Sequence, residues 1–170
     1  MLYRVLLITL GSIVVLGAGL YGWSRVSPTE IHTEIEIDAP VEDVWHVLTG
    51  FSEYEEWNPF MVKASGEAQV GETLVNTLVT DGSTMTIKPQ VTVADPGQEL
   101  RWLGRFVLPG VVEGEHYFLL EPTSDNGTRL VHGETFTGML VPFAGGMLDV
   151  GNEFELMNQA LKARAEGLTH

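Results

Sequence analysis

Hydrophobic positions change their spacing several times along this chain, and each change marks a different element. Val5 to Trp23 reads V-L-L-I-T-L-G-S-I-V-V-L-G-A-G-L-Y-G-W, an uncharged run of 19 residues between Arg4 and Arg25. As a helix rising about 1.5 Å per residue it is about 28 Å long, close to the roughly 30 Å of a bilayer's hydrocarbon core. Tyr3, Tyr21 and Trp23 stand at its ends, where amphipathic rings favour the headgroup region. A cleaved signal peptide usually has an apolar stretch of about 7–15 residues ending in a small-residue site, of which Gly17-Ala18-Gly19 is a poor version. Residues 1–25 are therefore expected to be an uncleaved single-pass membrane anchor, with a cleaved leader or a buried soluble helix as the alternatives. One Arg on each side leaves the membrane orientation open.

Residues 26–170 follow a different pattern. Ile31 to Ile37, I-H-T-E-I-E-I, alternates with period two and predicts a half-buried strand presenting Ile31, Ile35 and Ile37 on one face. Asp38-Ala39-Pro40 then predicts a helix start with Pro at the first helical position and Asp38 as cap; Val41, Val44, Trp45 and Leu48 supply its apolar face. Ser52 with Glu55 matches a capping box for a short helix ending before Pro59. From Phe60 to Gly138, turn signals at residues 66–71, Asp81-Gly82, Asp95-Pro96-Gly97, Pro109-Gly110 and Asp125-Asn126-Gly127 separate successive antiparallel strands, giving seven strands in all. Finally Met147, Val150, Phe154, Met157, Leu161, Ala165 and Leu168 alternate spacings of three and four, predicting a long amphipathic helix over 146–167. The expected class is α+β.

Composition and charge narrow the function. The chain holds 23 acidic and nine basic residues among 170, a net charge of −14. The apolar run takes two of those bases, so residues 26–170 carry −16, which opposes binding to a phosphate backbone and to anionic lipid alike. No nucleic-acid partner is expected. Cysteine is absent, which excludes disulfides, thiolate metal sites and a Cys nucleophile. No nucleophilic Ser motif or phosphate-binding Gly loop is present. No cofactor is expected.

At this point several segments become specific together. I-D-A-P-V-E-D-V-W-H-V-L-T-G-F-S-E-Y-E-E-W-N-P-F, then L-R-W-L-G, G-E-H-Y-F-L-L-E-P, T-R-L-V-H-G-E-T-F-T-G and F-E-L-M-N-Q-A-L-K-A-R-A-E, resemble in the same order the START/Bet v 1-like (SRPBCC) superfamily, in its polyketide cyclase/dehydrase and lipid-transport branch. The likeness covers about residues 30–167. It implies a helix-grip fold, in which a curved seven-stranded antiparallel sheet wraps the C-terminal helix around an apolar cavity. It implies an apolar small-molecule partner, lipid or polyketide-like, and only weakly a reaction.

Which residues serve that cavity is a separate question. Leu100, Trp102, Phe118, Leu120, Leu130, Phe136, Phe154 and Met157 are large apolar groups suited to its lining, although each alone reads first as ordinary core, because core residues outnumber ligand contacts in any domain. Polar groups within apolar strands are more informative, because burying them without partners is costly. His132 and Glu134 share a strand face, and an even pairing register with the preceding strand brings His116 onto the same face; an odd register separates it. Together they form a candidate catalytic acid/base set, with a purely structural His–Glu hydrogen bond or a solvent-facing pair as the alternative. Their donor types also match a 2-His-1-carboxylate site, but no spacing is diagnostic and no metal is expected. Arg101, Arg105 and Arg129 are scarce cations, each expected to pair with a carboxylate, or in one case to meet a fatty-acid-like ligand.

Two loops are unusually apolar. Residues 106–112 and 139–144 contain Leu108, Val111, Leu140 and Phe143, and in the implied meander they lie at one end of the sheet near the anchor. They are expected to form the cavity mouth facing the bilayer, with packing on the C-terminal helix as the alternative. The functional expectation is membrane-anchored binding of an apolar molecule by a carrier, sensor or scavenger. A cyclase/dehydratase-like enzyme and a protein-interaction module with a collapsed cavity are the alternatives.

Overall fold

The computed structural model describes residues 2–80, 82–106 and 108–168. Asp81 of the expected turn, Val107 of the first apolar loop and the Met147 side chain lie outside the described residues. Helix α1 (Leu2–Val26) leads into strand β1 (Thr29–Ile37), helix α2 (Val41–Thr49), a 3-10 turn (Phe51–Glu53) and helix α3 (Tyr54–Trp57). Strands β2 (Met61–Ser65), β3 (Val75–Thr80), β4 (Ser83–Ile87), β5 (Gln90–Asp95), β6 (Glu99–Phe106), β7 (Val112–Pro122) and β8 (Thr128–Thr137) follow. Short helix α4 (Val141–Ala144), a 3-10 turn (Gly145–Leu148) and helix α5 (Gly151–Glu166) complete the chain.

The expected seven-stranded sheet is corrected to eight strands in two sheets: five in the order β1-β8-β7-β6-β5 and three in the order β2-β3-β4. The extra strand comes from one predicted strand divided at Lys88-Pro89. Pro89 has no N–H to give to a ladder and forces an extended residue before it, so β4 pairs with β3 while β5 crosses to β6. Backbone hydrogen bonds from Gly71 and Leu74 to Val91 and Pro89, and from Val91 to Glu72, stitch the two sheets where the chain changes over. The wall is therefore continuous and curved.

Two local expectations are corrected as well. Pro40 is the residue before α2 rather than its first helical residue, and Asp38 makes no cap; the Pro40 carbonyl itself accepts the Asp43 and Val44 N–H groups. The Ser52–Glu55 capping box does not form: α3 continues directly from the 3-10 turn, and the residue before it is Glu53, with no side-chain cap bond. At the other end, α5 starts five residues later than predicted, and Leu168 lies beyond it, exposed. Phe154, Met157, Leu161 and Ala165 still form the buried stripe expected of a helix packed along one face.

The core lies between the concave sheet, α2 and α5. Tyr54 is fully buried and donates its hydroxyl to the Leu48 carbonyl at 2.7 Å, which ties α3 to α2. Helix α1 is exposed over most of its apolar stretch and, among the described residues, meets the domain from Gly17 to Ser24. There Ser24 is buried, and its hydroxyl accepts the Gly138 N–H at 2.9 Å. Gly17, Ala18 and Tyr21 share a small surface crevice with Pro109, Gly110, Glu113 and Met139.

Candidate functional site

The β7–β8 hairpin decides the site. Asn126 takes a positive φ of 62° in its turn, and the Thr123 N–H donates to the Gly127 carbonyl at 2.9 Å, which sets the register. His116 stands opposite Glu134, and Phe118 opposite His132. The register is even, so His116, His132 and Glu134 share one face.

On that face they form a chain of hydrogen bonds. Glu134 Oε2 lies 3.3 Å from His116 Nδ1, and His116 Nε2 lies 2.8 Å from His132 Nε2. His132 Nδ1 lies 2.8 Å from Asn158 Oδ1, and Asn158 Nδ2 donates to Thr33 Oγ1 at 2.7 Å. Aromatic rings hold both imidazoles: His132 is stacked between Phe118 and Phe154 at centroid distances of 4.3 and 4.0 Å, and His116 lies flat on Trp102 at 4.8 Å.

Burial sets the protonation of this chain. It pushes the Glu134 carboxyl up to about 8 and His116 down to about 3. His132 is held well below its usual value by burial first and then by His116, against the pull of Asn158. At neutral pH all three groups are uncharged. The hydrogen-bonding inventory then fixes the direction of each bond once Asn158 donates to Thr33. Asn158 Oδ1 accepts the His132 Nδ1–H, His132 Nε2 accepts the His116 Nε2–H, and His116 Nδ1 accepts the Glu134 O–H. The Glu134–His116 contact is thus a neutral hydrogen bond rather than an ion pair.

One end of this chain opens on a cavity of about 430 Å³, within the range of small-molecule sites. Phe60, Met61, Leu78, Met85, Ile87, Trp102, Phe106, Val112, Phe136, Leu148 and Val150 supply its apolar wall, and His116 and Glu134 are the titratable groups on it. The other end reaches Thr33 and Asn158 in an open groove between β1 and α5. A larger, more open groove beside α2, about 770 Å³, has Glu42, Asp95, Glu99 and Glu121 among its lining residues.

Of the expected lining, Trp102 and Phe136 face the cavity. Leu100, Phe118, Leu120, Leu130, Phe154 and Met157 do not; they are packed in the filled core. His132 is completely buried behind His116. Leu108, Leu140 and Phe143 are exposed and Val111 is half-buried, while their neighbours Phe106, Val112 and Ala144 reach the cavity. The packing of these loops onto the C-terminal helix, the alternative reading, is not what Leu108, Leu140 and Phe143 do. The three arginines all pair on the outside: Arg101 with Glu99 and Glu115, Arg105 with Glu113, Arg129 with Glu34 and Glu121. Among the described residues no group of three or more His, Asp or Glu is arranged to hold a metal ion.

Asn158 and the wall residues of β3 and β4 escaped the sequence reading. Asn158 carried a usable signal, a polar residue one place after Met157 and three before Leu161 on the buried stripe of α5.

Residues 28–166 match the family described as polyketide cyclase / dehydrase and lipid transport, and the chain belongs to that family, within the START/Bet v 1 superfamily. Comparison with curated proteins finds no match. Among solved structures, the chain is similar to the ZhuI aromatase/cyclase from Streptomyces sp. R1128, with a TM-score of 0.70 and 17% identity over 84% of this chain and 96% of that one. It is also similar to a START superfamily protein from Mycobacterium smegmatis, with a TM-score of 0.66 and 19% identity over 82% and 98%. Norcoclaurine synthase from Thalictrum has a TM-score of 0.66 and 16% identity over 84% and 97%. At these identities the likenesses establish the helix-grip fold alone.

Proposed function

We propose that the protein binds an apolar small molecule in this cavity while held at a membrane by residues 1–25, the ligand domain being residues 26–170, and that it acts as a carrier, sensor or scavenger. The observation that carries the reading is an apolar cavity whose wall continues into two exposed apolar loops beside α1. α1 is long and apolar enough to cross a membrane. The loops meet it at Gly17 to Tyr21, about 3–9 Å along the helix from Trp23 at about 1.5 Å per residue. If Trp23 marks the interface, Leu108, Leu140 and Phe143 enter the bilayer's apolar layer, and the mouth opens to lipid rather than water. The seam at Ser24 favours an uncleaved α1, because removing it strips the partner from the Gly138 N–H. A collapsed interaction module fits poorly with a cavity of about 430 Å³.

The test is extraction of ligand from full-length protein purified from membranes, beside the variant Gly104→Phe. Gly104 lines the cavity, and a Cβ there makes only an ordinary contact with the Gly114 carbonyl at 3.7 Å, so a ring can be built into the site without a backbone clash at its root. An apolar molecule should accompany the native protein and be lost from a folded Gly104→Phe protein. Equal recovery from both rejects the reading.

A second reading is favoured by one observation, the placement of Glu134 and His116 on the cavity wall. A carboxyl near 8 is a competent general acid at neutral pH, as a cyclase or dehydratase acting on a polyketide-like substrate requires. His132, behind His116, then acts as a positioning residue. Loss of turnover in Glu134→Gln with ligand binding retained would favour this reading.

A further inference from the structure

The polar chain has an open end. Glu134 uses Oε2 on His116, and Oε1 has no hydrogen-bond partner among the described residues. The side chain is only 15% exposed, on the wall it contributes to the cavity. Its position is left open by the neighbouring strand: Gly114, diagonal to it on β7 and opposite Phe136, has no side chain to meet the Glu134 carboxyl. A ligand that fills the cavity and covers this oxygen leaves it without a partner, at a cost, unless the ligand itself pairs with it.

The charges around the cavity restrict what that something is. No Lys or Arg lies on the described wall, since the arginines that could have met a carboxylate are paired on the outer face. The remaining polar wall groups are the hydroxyls of Thr80, Ser83 and Thr84, none of which is ionic.

We propose that Glu134 Oε1 is the polar subsite of the cavity and that it takes a neutral amphiphile with a hydroxyl at one end of an apolar body, in preference to a fatty-acid anion or a plain hydrocarbon. This rests on the ligand-binding reading above and names the chemical class of the ligand. With the carboxyl proton on Oε2 and given to His116, Oε1 is an acceptor, and a ligand hydroxyl can donate to it. A fatty-acid anion brings a net charge into an apolar space that offers no cation. A hydrocarbon leaves Oε1 orphaned.

The subsite also makes binding depend on pH. The titratable group facing Glu134 across the ladder is His116, with His132 behind it; β3, β4, β6 and α4 present none to the cavity. A ligand in the cavity removes what solvation the carboxyl has and favours its neutral form. Affinity for the hydroxyl ligand therefore falls as Glu134 ionises.

The experiment is displacement of the neutral apolar probe N-phenyl-1-naphthylamine from full-length protein in lipid nanodiscs, with empty nanodiscs subtracted, by 1-decanol, decanoate and decane. At pH 6.5, 1-decanol should displace the probe at about tenfold lower concentration than decane, the scale of one neutral hydrogen bond, and more effectively than decanoate. Its advantage should shrink at pH 9.5. Glu134→Gln, which still donates and accepts, should keep the alcohol preference and lose the pH dependence, whereas Glu134→Leu should lose the preference. Displacement by decanoate at or below the decanol concentration, or an alcohol preference surviving in Glu134→Leu, overturns the proposal. If the probe binds but all three compounds rank alike, only the subsite fails. A probe that never binds, or that nothing displaces, rejects the ligand-binding reading and the subsite with it.

Discussion

The Nε2 atoms of His116 and His132 lie 2.8 Å apart inside the core, so one proton serves both rings. Neither ring can be charged cheaply, and each depends on the other for a partner. The arrangement gives the fold a polar core whose energetics are measurable.

Removing His132 breaks two links at once. Its ring fills the slot between Phe118 and Phe154, and its loss orphans the His116 Nε2–H and Asn158 Oδ1. We expect His132→Ala to destabilise the fold by about 4 kcal/mol, combining a core cavity with unmade hydrogen bonds. Asn158→Ala should cost about 2 kcal/mol, and the double variant about 1 kcal/mol less than the sum. Denaturant unfolding monitored by Trp fluorescence measures all three; strict additivity would mean the chain does not act as a unit.

Stability should peak near neutral pH, for reasons of opposite sign. Glu134 is raised from about 4.5 to about 8, so the folded state binds the extra proton and stability falls as pH rises through that window. The histidines are lowered, so the unfolded state takes up protons first and stability falls as pH drops below about 6.5. Between pH 6.5 and 8.5 the carboxyl contributes a loss of about 2 kcal/mol, partly offset by the last deprotonation of the unfolded-state histidines. Glu134→Gln should flatten this alkaline limb and steepen the acid limb between about pH 4.5 and 6.5, where the carboxyl opposes the histidines, as read from unfolding midpoints across pH.

The seam between α1 and the domain should be separable from the core. Ser24→Ala leaves the Gly138 N–H without its acceptor and should cost about 1 kcal/mol locally. Limited proteolysis at the Ser27-Pro28 junction in nanodiscs should quicken, with the domain's own unfolding midpoint little changed. Gly138→Ala should be far more damaging, because Gly138 has φ of 132° and an added Cβ meets the Val111 carbonyl.

The exposed apolar loops can be located directly, because the chain contains no cysteine to interfere. Phe143→Cys carrying an environment-sensitive dye should show blue-shifted emission in liposomes and strong quenching by lipids spin-labelled on the acyl chain. A dye on Leu168, exposed just beyond α5, is the reference for an apolar surface residue outside the loops and should be less quenched. Equal quenching at the two sites would remove the loops from the membrane.

Much of the fold could be read from spacing, because an element's period follows from its own backbone. Alternation in Ile31–Ile37 and the three-and-four spacing of Phe154, Met157, Leu161 and Ala165 gave a strand and a helix where the structure has them. The division at Pro89 was missed because turn signals were sought in Gly and Asp clusters, whereas here one missing N–H sends the strand to another sheet. At the site, the shared face of His116, His132 and Glu134 followed once the register was even. Leu100 and Phe118 were misplaced for a plainer reason: both are wholly buried, like Trp102, but they touch core atoms where Trp102 touches the cavity.

By itself the sequence determined the α+β class, an apolar N-terminal helix, an acidic domain without cysteine, and the polar residues that matter in strands β7 and β8. Only the tertiary structure decided that Asn158 and Thr33, 26 and 99 positions from His132, complete the polar chain, and that the ends of this chain face a cavity and a groove. The reason is physical. Periodicity reports which side of an element leaves water, whereas what that side meets, packed atoms, a proton donor or an empty space, depends on elements brought together from far along the chain.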